Sequence, residues 1–336
     1  MRNFAGGSKF FTFHYSLFTF LFVSLHAIMR KILYCALCFV LCALISGCGQ
    51  SYEETKRISR AQRIRMFKED SAALKVAVMP TLDCLPVYLA EDHQLFDTIV
   101  DIRLKHFTAQ MDVDTALMNN RVEVAVTDLV RAEWMMKQGT PLEYLTATDT
   151  YWLLVTNRIA RLTDLKHLSD KMLAMTRYSA TDLLADMAVD SAKLKSEQVF
   201  RVQINDVNIR LKMLENNEMD ALLLPEPQAS QARRLKHKVI MDSRKMDLKL
   251  GAFVIRSKGM DDKNRKKQMT AFTKGYNRAC DSLNKYGLAH YADLVAKYCK
   301  VKPESVDSLL GKQHFSRIAK PREQDIEAAK KWLSKK

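Results

Sequence analysis

From Lys75 onward, short β-branched and apolar runs alternate with stretches of helical spacing. Lys75 to Met79 reads as a first strand, closed by Pro80. Cys84 to Phe96 reads as a helix, Val100 to Phe107 as a second strand, and Asp112 to Asn119 as a capped helix. A third strand, Val122 to Thr127, leads into a helix from Leu129 to Gln138. Leu142 to Thr146 and Trp152 to Thr156 are again strand-like.

The pattern then restarts. Strands are expected at Met172 to Thr176, Val199 to Ile204, Met219 to Leu224 and Lys238 to Met241, with helices at Asp182 to Asp190 and Val207 to Asn216. Leu250 to Arg256 is a strand expected to return to the first lobe. Residues 261–285, 287–299, 303–311 and 322–334 read as helices. The strand–helix alternation implies α/β architecture: two lobes, each a mixed, mostly parallel sheet with helices on both faces, and a helical C-terminal tail. An internal echo fits two related lobes. Leu117 to Glu123 parallels Leu214 to Asp220; each ends a helix with Asn-Asn and enters an apolar strand whose second residue is acidic.

The N-terminal part follows different rules. Residues 1–47 contain no Asp or Glu. Met29 precedes Arg30 and Lys31, then an apolar run from Ile32 to Ile45, then Ser46-Gly47-Cys48. This is the layout of an export signal. The alternative, an uncleaved anchor, is disfavoured because the run falls short of the roughly 20 apolar residues that span a bilayer. Residues 1–28 hold a second apolar run with no role in such a signal and are read as a gene-model extension, with translation starting at Met29. Residues 48–74 form a basic tether carrying Lys56, Arg57, Arg60, Arg63, Arg65 and Lys68, suited to anionic headgroups or simply to solvent.

Composition is ordinary for a folded protein: 48% hydrophobic, 27% charged, 10 Gly and 7 Pro in 336 residues. The net charge of +15 admits an anionic partner, but the cations are scattered and no nucleic-acid motif appears. Four of the seven cysteines lie at or before Cys48. Cys84, Cys280 and Cys299 form no metal-ligand spacing. Cys280 and Cys299 either pair as a disulfide or, the favoured reading, remain free buried thiols with Cys84.

Four stretches carry a resemblance to type 2 periplasmic solute-binding proteins of ABC transporters, the nitrate/sulfonate/taurine and thiamine-precursor binders in particular. They are Val76 to Ala90, Ala116 to Asp128, Leu162 to Met175, and Met219 to Pro227 with its Asp-Ala and Glu-Pro pairs. Ile45-Ser46-Gly47-Cys48 likewise resembles a bacterial lipobox, which implies acylation of Cys48. The family's glycines are largely missing: Asn119-Asn120 and His167 to Asp170 stand where its turns use them. The resemblance implies a type 2 periplasmic-binding-protein fold, with 75–158 and 246–336 forming lobe one and its tail, 159–245 forming lobe two, and hinges near Val155–Arg161 and Lys245–Lys249.

Ligands of open α/β sheets bind beyond the C-terminal strand ends. That rule selects Thr81, Asp83 and Cys84 after the first strand, Asp128 after the third, and Trp152 near the first crossover. In lobe two it selects Arg177, Tyr178, Ser179 and Thr181 at a helix N-terminus, then Asn205, Asp206 and Glu226. Arg177 with free N–H groups suits an anion, whereas the four carboxylates leave a zwitterion or a cationic heterocycle open. Ser179, Thr181, Asp128 and Asp206 could equally be plain helix caps, and Trp152 core. The implied function is a monomeric, lipid-anchored receptor in the cell envelope that binds a small anionic or zwitterionic solute and delivers it to an ABC permease. It would use no cofactor and no metal. The alternative is an enzyme on the same fold acting in menaquinone or pyrimidine cofactor biosynthesis.

Overall fold

A computed structural model describes residues 52–309 and 313–336. The signal segment, Cys48 and residues 1–28 lie outside the described residues, as does the end of the 303–311 helix. The chain divides into two compact units at Glu69/Asp70. In the first, the described residues are helical, within α1 (Tyr52–Ala72), and Arg65 pairs with Glu69 one turn on at 2.8 Å. Among the described residues, no helix is long and apolar enough to cross a membrane.

The second unit carries two five-stranded sheets. The first combines β1 (Leu74–Val78), β2 (Ile102–His106), β3 (Val124–Asp128), β4 (Leu142–Ala147) and β10 (Gly251–Arg256) in the order β2-β1-β3-β10-β4. The second combines β5 (Trp152–Thr156), β6 (Lys171–Met175), β7 (Val199–Gln203), β8 (Ala221–Pro225) and β9 (Lys238–Asp242) in the order β7-β6-β8-β5-β9. Each sheet has three parallel strands followed by an antiparallel one. β10 lies between β3 and β4, so the expected return to the first lobe is observed.

The first crossover is placed differently from the sequence reading. β5 pairs with β8 and β9, so the chain changes sheets in 148–151 and not at Val155–Arg161. Local alternation could not reveal this, because a buried strand looks the same in either sheet. The second crossover falls between β9 and β10, where it was expected. The two crossovers touch: the Thr148 N–H donates to Gly251 O at 2.9 Å. A Cβ on Gly251 would come within 2.2 Å of Thr148 Oγ1 and of Thr150 Cγ2, so only glycine fits there.

The Asn-Asn echo is structural. α3 (Gln110–Met118) and α6 (Val207–Glu215) both end with a left-handed asparagine, Asn120 at φ 58° and Asn217 at φ 62°. Each turn is closed by a bond back to the helix, Arg121 N to Ala116 O and Glu218 N to Met213 O, both 2.8 Å. The acidic residue that follows ties its strand to the neighbouring one. Glu123 Oε2 accepts the Lys75 N–H at 2.8 Å, and Asp220 Oδ2 accepts the Met172 N–H at 2.9 Å.

The remaining helices cover the sheets: α2 (Leu85–Asp92), α4 (Leu129–Lys137), α5 (Ala180–Ser191), α7 (Gln228–Arg234), α8 (Lys263–Tyr286), α9 (Ala292–Cys299) and α10 (Glu323–Leu333). One hydrophobic cluster joins α2, α8 and α9 to the first sheet. A second joins α4, α5 and Leu154 and Leu173 of the second sheet to Ile326, Ala329 and Leu333 of α10. The C-terminal helix therefore packs on both lobes. Cys84, Cys280 and Cys299 are buried and free, so the disulfide alternative does not hold. Burial pushes the Cys280 thiol up to about 12 and raises those of Cys84 and Cys299 as well, which keeps all three protonated.

Candidate functional site

The strand ends of the two sheets face each other across a cavity of about 60 Å³. Lobe one contributes Thr81, Asp83, Gln110, Thr127 and Asp128. Lobe two contributes Trp152, Thr176, Ser179, Thr181, Asn205 and Arg210. Of the residues selected by the strand-end rule, Thr81, Asp83, Asp128, Trp152, Ser179, Thr181 and Asn205 come together here. Cys84, Arg177, Tyr178, Asp206 and Glu226 do not line the cavity.

Those five have other roles. The Cys84 sulfur is buried and accepts the Met79 N–H at 3.3 Å. Arg177 is exposed; only its backbone carbonyl faces the other lobe, accepting from Arg131 Nη1 at 3.1 Å. Tyr178 takes a left-handed turn at φ 52° and stacks near Trp134. Asp206 caps α6 through the N–H groups of Asn208 and Ile209. Glu226 is buried under α7, accepting the Ser230 N–H at 2.9 Å and the Tyr151 hydroxyl at 3.3 Å.

Capping and lining are combined in Asp128 and Ser179. Asp128 Oδ1 accepts the Arg131 N–H at 2.9 Å, which caps α4. The same carboxylate takes a backbone hydrogen bond from Ala180, the first residue of α5 in the other lobe. The helix N-terminus expected to receive an anion is thus already engaged by a carboxylate of this chain. Burial pushes the Asp128 carboxyl up to about 7. Burial also raises that of Asp83, against the hydrogen bond it accepts from the Thr81 hydroxyl. Ser179 Oγ accepts the Thr181 N–H at 3.1 Å, and Thr181 Oγ1 accepts the Thr176 N–H at 2.9 Å.

The strand-end selection missed Gln110, Thr127, Thr176 and Arg210, of which Arg210 alone is charged. Its guanidinium donates to Ile204 O at 2.6 Å, to Leu223 O at 3.0 Å, and to the Thr176 hydroxyl. Among the described residues, no carboxylate pairs with it. Burial lowers its proton affinity to about 10, still well above neutrality, so it stays charged. The signal was present in the sequence. Val207, Arg210, Leu211 and Leu214 share one face of α6 at helical spacing, so an arginine sits on the buried stripe.

The lobes also meet outside the cavity. The Leu82 N–H donates to Glu226 O at 3.0 Å, and Gln228 Nε2 donates to Pro80 O at 2.6 Å and to Cys299 O at 3.2 Å. Ala109 and Asp206 form an isolated antiparallel bridge.

Two sheets of like topology, two crossovers and strand ends facing one cleft define the fold of the type 2 periplasmic binding proteins. Solved structures of that fold resemble the chain over most of its length. The alkanesulfonate-binding protein SsuA of Xanthomonas axonopodis pv. citri, bound to MOPS, matches with TM-score 0.68 at 15% identity, covering 78% of this chain and 91% of that one. A ligand-binding component of an ABC-type import system from Staphylococcus aureus, with zinc bound, matches with TM-score 0.66 at 14% identity, covering 79% and 92%. The periplasmic nitrate-binding protein NrtA of Synechocystis matches with TM-score 0.62 at 12% identity, covering 75% and 74%. No family model and no curated protein matches the sequence.

Proposed function

We propose that the protein is a solute receptor of an ABC import system, held at the outer face of a membrane by acylated Cys48, and that its ligand is a compact zwitterion. The binding proteins named above support a receptor over an enzyme. One observation carries the ligand class. The cavity has a guanidinium with no carboxylate partner among the described residues, Arg210, on the lobe-two side, and the half-buried Asp83 and buried Asp128 carboxyls on the lobe-one side. A solute with an anionic end toward Arg210 and a cationic end toward Asp128 satisfies both without leaving a buried charge alone. A simple anion would meet two carboxyls and a helix N-terminus that Asp128 already serves. The surrounding hydroxyls and amides of Thr81, Thr127, Thr176, Thr181, Asn205 and Gln110 supply orientation. The small cavity favours a solute of few atoms.

Calorimetric titration with amino acids, betaines, nitrate and short alkanesulfonates tests this. Binding of a small zwitterion, with no response to nitrate or sulfonate, is the expected result. Tight binding of a simple oxyanion would overturn the ligand class. No binding of any small solute would overturn the receptor reading.

A further inference from the structure

The exposed side of α8 carries a row of cations at helical spacing: Lys263, Lys267, Lys274 and Arg278. All four are exposed, and none forms an ion pair with the described residues. Lys266 lies beside them, 3.9 Å from the fully exposed Asp261. The opposite side of the helix is core, with Ala271, Phe272, Gly275, Tyr276 and Leu283 buried. The row borders a broad, shallow groove of about 1200 Å³ between α8 and the 95–100 loop. On that loop Ile99 is 89% exposed, the most exposed large aliphatic side chain among the described residues.

The point where the chain leaves the body toward its N-terminus is fixed to the same helix. The Arg265 guanidinium donates to Ser71 O at 2.7 Å and to Ala73 O at 2.5 Å, and Gln268 Nε2 donates to Ala72 O at 2.8 Å. Residues 71–73 are therefore pinned to the first turns of α8. A tether reaching a membrane starts beside the row of unpaired cations. We propose that this face of α8, with Ile99, is an anionic-phospholipid docking surface that holds the body against the bilayer. Cations near an anionic leaflet are each drawn toward its surface. An aliphatic side chain at the rim adds shallow insertion. Together they give a weak, salt-sensitive, orienting contact and not an anchor. The cleft, built from the strand ends of the two sheets, takes no part in it.

Lysine acetylation footprinting of the full chain on vesicles, read by mass spectrometry, tests the assignment. On phosphatidylcholine vesicles containing phosphatidylglycerol, Lys263, Lys267 and Lys274 should be modified several-fold more slowly than on phosphatidylcholine alone. Lys193 and Lys212, on the other lobe, should not change. High salt should remove the protection, and Lys267→Glu with Lys274→Glu should abolish it at Lys263 while leaving solute affinity intact. Equal modification on the two vesicle types, or protection that survives the double substitution, would overturn the inference. Because the geometry rests on the anchored reading, flotation is measured alongside. Failure to float with neutral vesicles would count against the anchor, whereas flotation without selective protection would count against the docking face alone.

Discussion

The Trp332 indole Nε1 donates to Asp186 Oδ2 at 2.7 Å and so joins the last helix of the chain to α5 of lobe two. Lys336 reaches the same carboxylate at 2.9 Å. The other end of α10 is held at the second crossover, where Asp325 accepts the Lys249 N–H at 3.3 Å and Arg322 pairs with Asp247 at 2.8 Å. With its apolar face against α4 and α5, α10 restrains the lobes from one side. Trp332→Phe should keep the ring packing and lose about 1 kcal/mol of stability. The ligand-free protein should then show a larger radius of gyration in solution scattering. An unchanged radius together with an unchanged melting temperature would mean that the helix does not restrain closure.

Asp128 sets a pH dependence. Its carboxyl holds a proton up to about pH 7 in the folded protein but has an ordinary value of 3.8. Between those limits the folded state binds more protons than the unfolded one, so stability falls as pH rises from about 4 to 7. Burial raises Asp83, Asp114 and Glu226 in the same direction. Asp128→Asn should therefore flatten, not abolish, the decline in melting temperature over that window. A decline as steep as the parent's would show that Asp128 is ionised throughout.

Arg210 and Arg177 should separate cleanly in binding. Arg177→Ala removes an exposed side chain outside the cavity and should leave solute affinity within twofold. Arg210→Gln removes the one guanidinium that lines the cavity among the described residues and should weaken the same solute by at least tenfold, about 1.4 kcal/mol. Titration calorimetry on variants that retain the parental circular dichroism spectrum reads both. The reverse order of effects would return the anion site to the N-terminus of α5.

Gly251→Ala places a Cβ within 2.2 Å of two threonine side chains at the crossover. Denaturant unfolding should report a loss of about 1–3 kcal/mol, the usual cost of overpacking. The companion substitution Thr150→Ser removes one of the two clashing atoms and should recover part of it. No recovery would locate the strain elsewhere.

The helix-to-strand grammar was legible because it is local. Asn120 and Asn217 terminate helices in the same left-handed turn, and Glu123 and Asp220 each bind the backbone of the neighbouring strand. Sheet membership was less legible, since β5 gives no sign in its own residues of which partners it will find. The site was legible where one residue both caps and lines, as Asp128 and Ser179 do. It was illegible where the strand-end rule drew attention to the loop before α6 and away from the helix. Asp206 marks the cap there, but the chemistry sits one turn later, on the buried stripe. Arg177 misled for the opposite reason: its position in the chain is at the cleft, but its side chain is directed to solvent.

The hydrogen bond from Thr148 to Gly251 has a mechanical consequence. Two independent linkers would let the lobes bend, slide and twist separately. Linkers bonded to each other and packed without room for a methyl group behave as a single pivot. Opening of the cleft is then confined to one coordinate, a rotation through the point where the two strands cross. A solute at the strand ends senses only how far along that rotation the protein has moved. Closure would therefore be one concerted swing of the two lobes, with no separate sliding or twisting step.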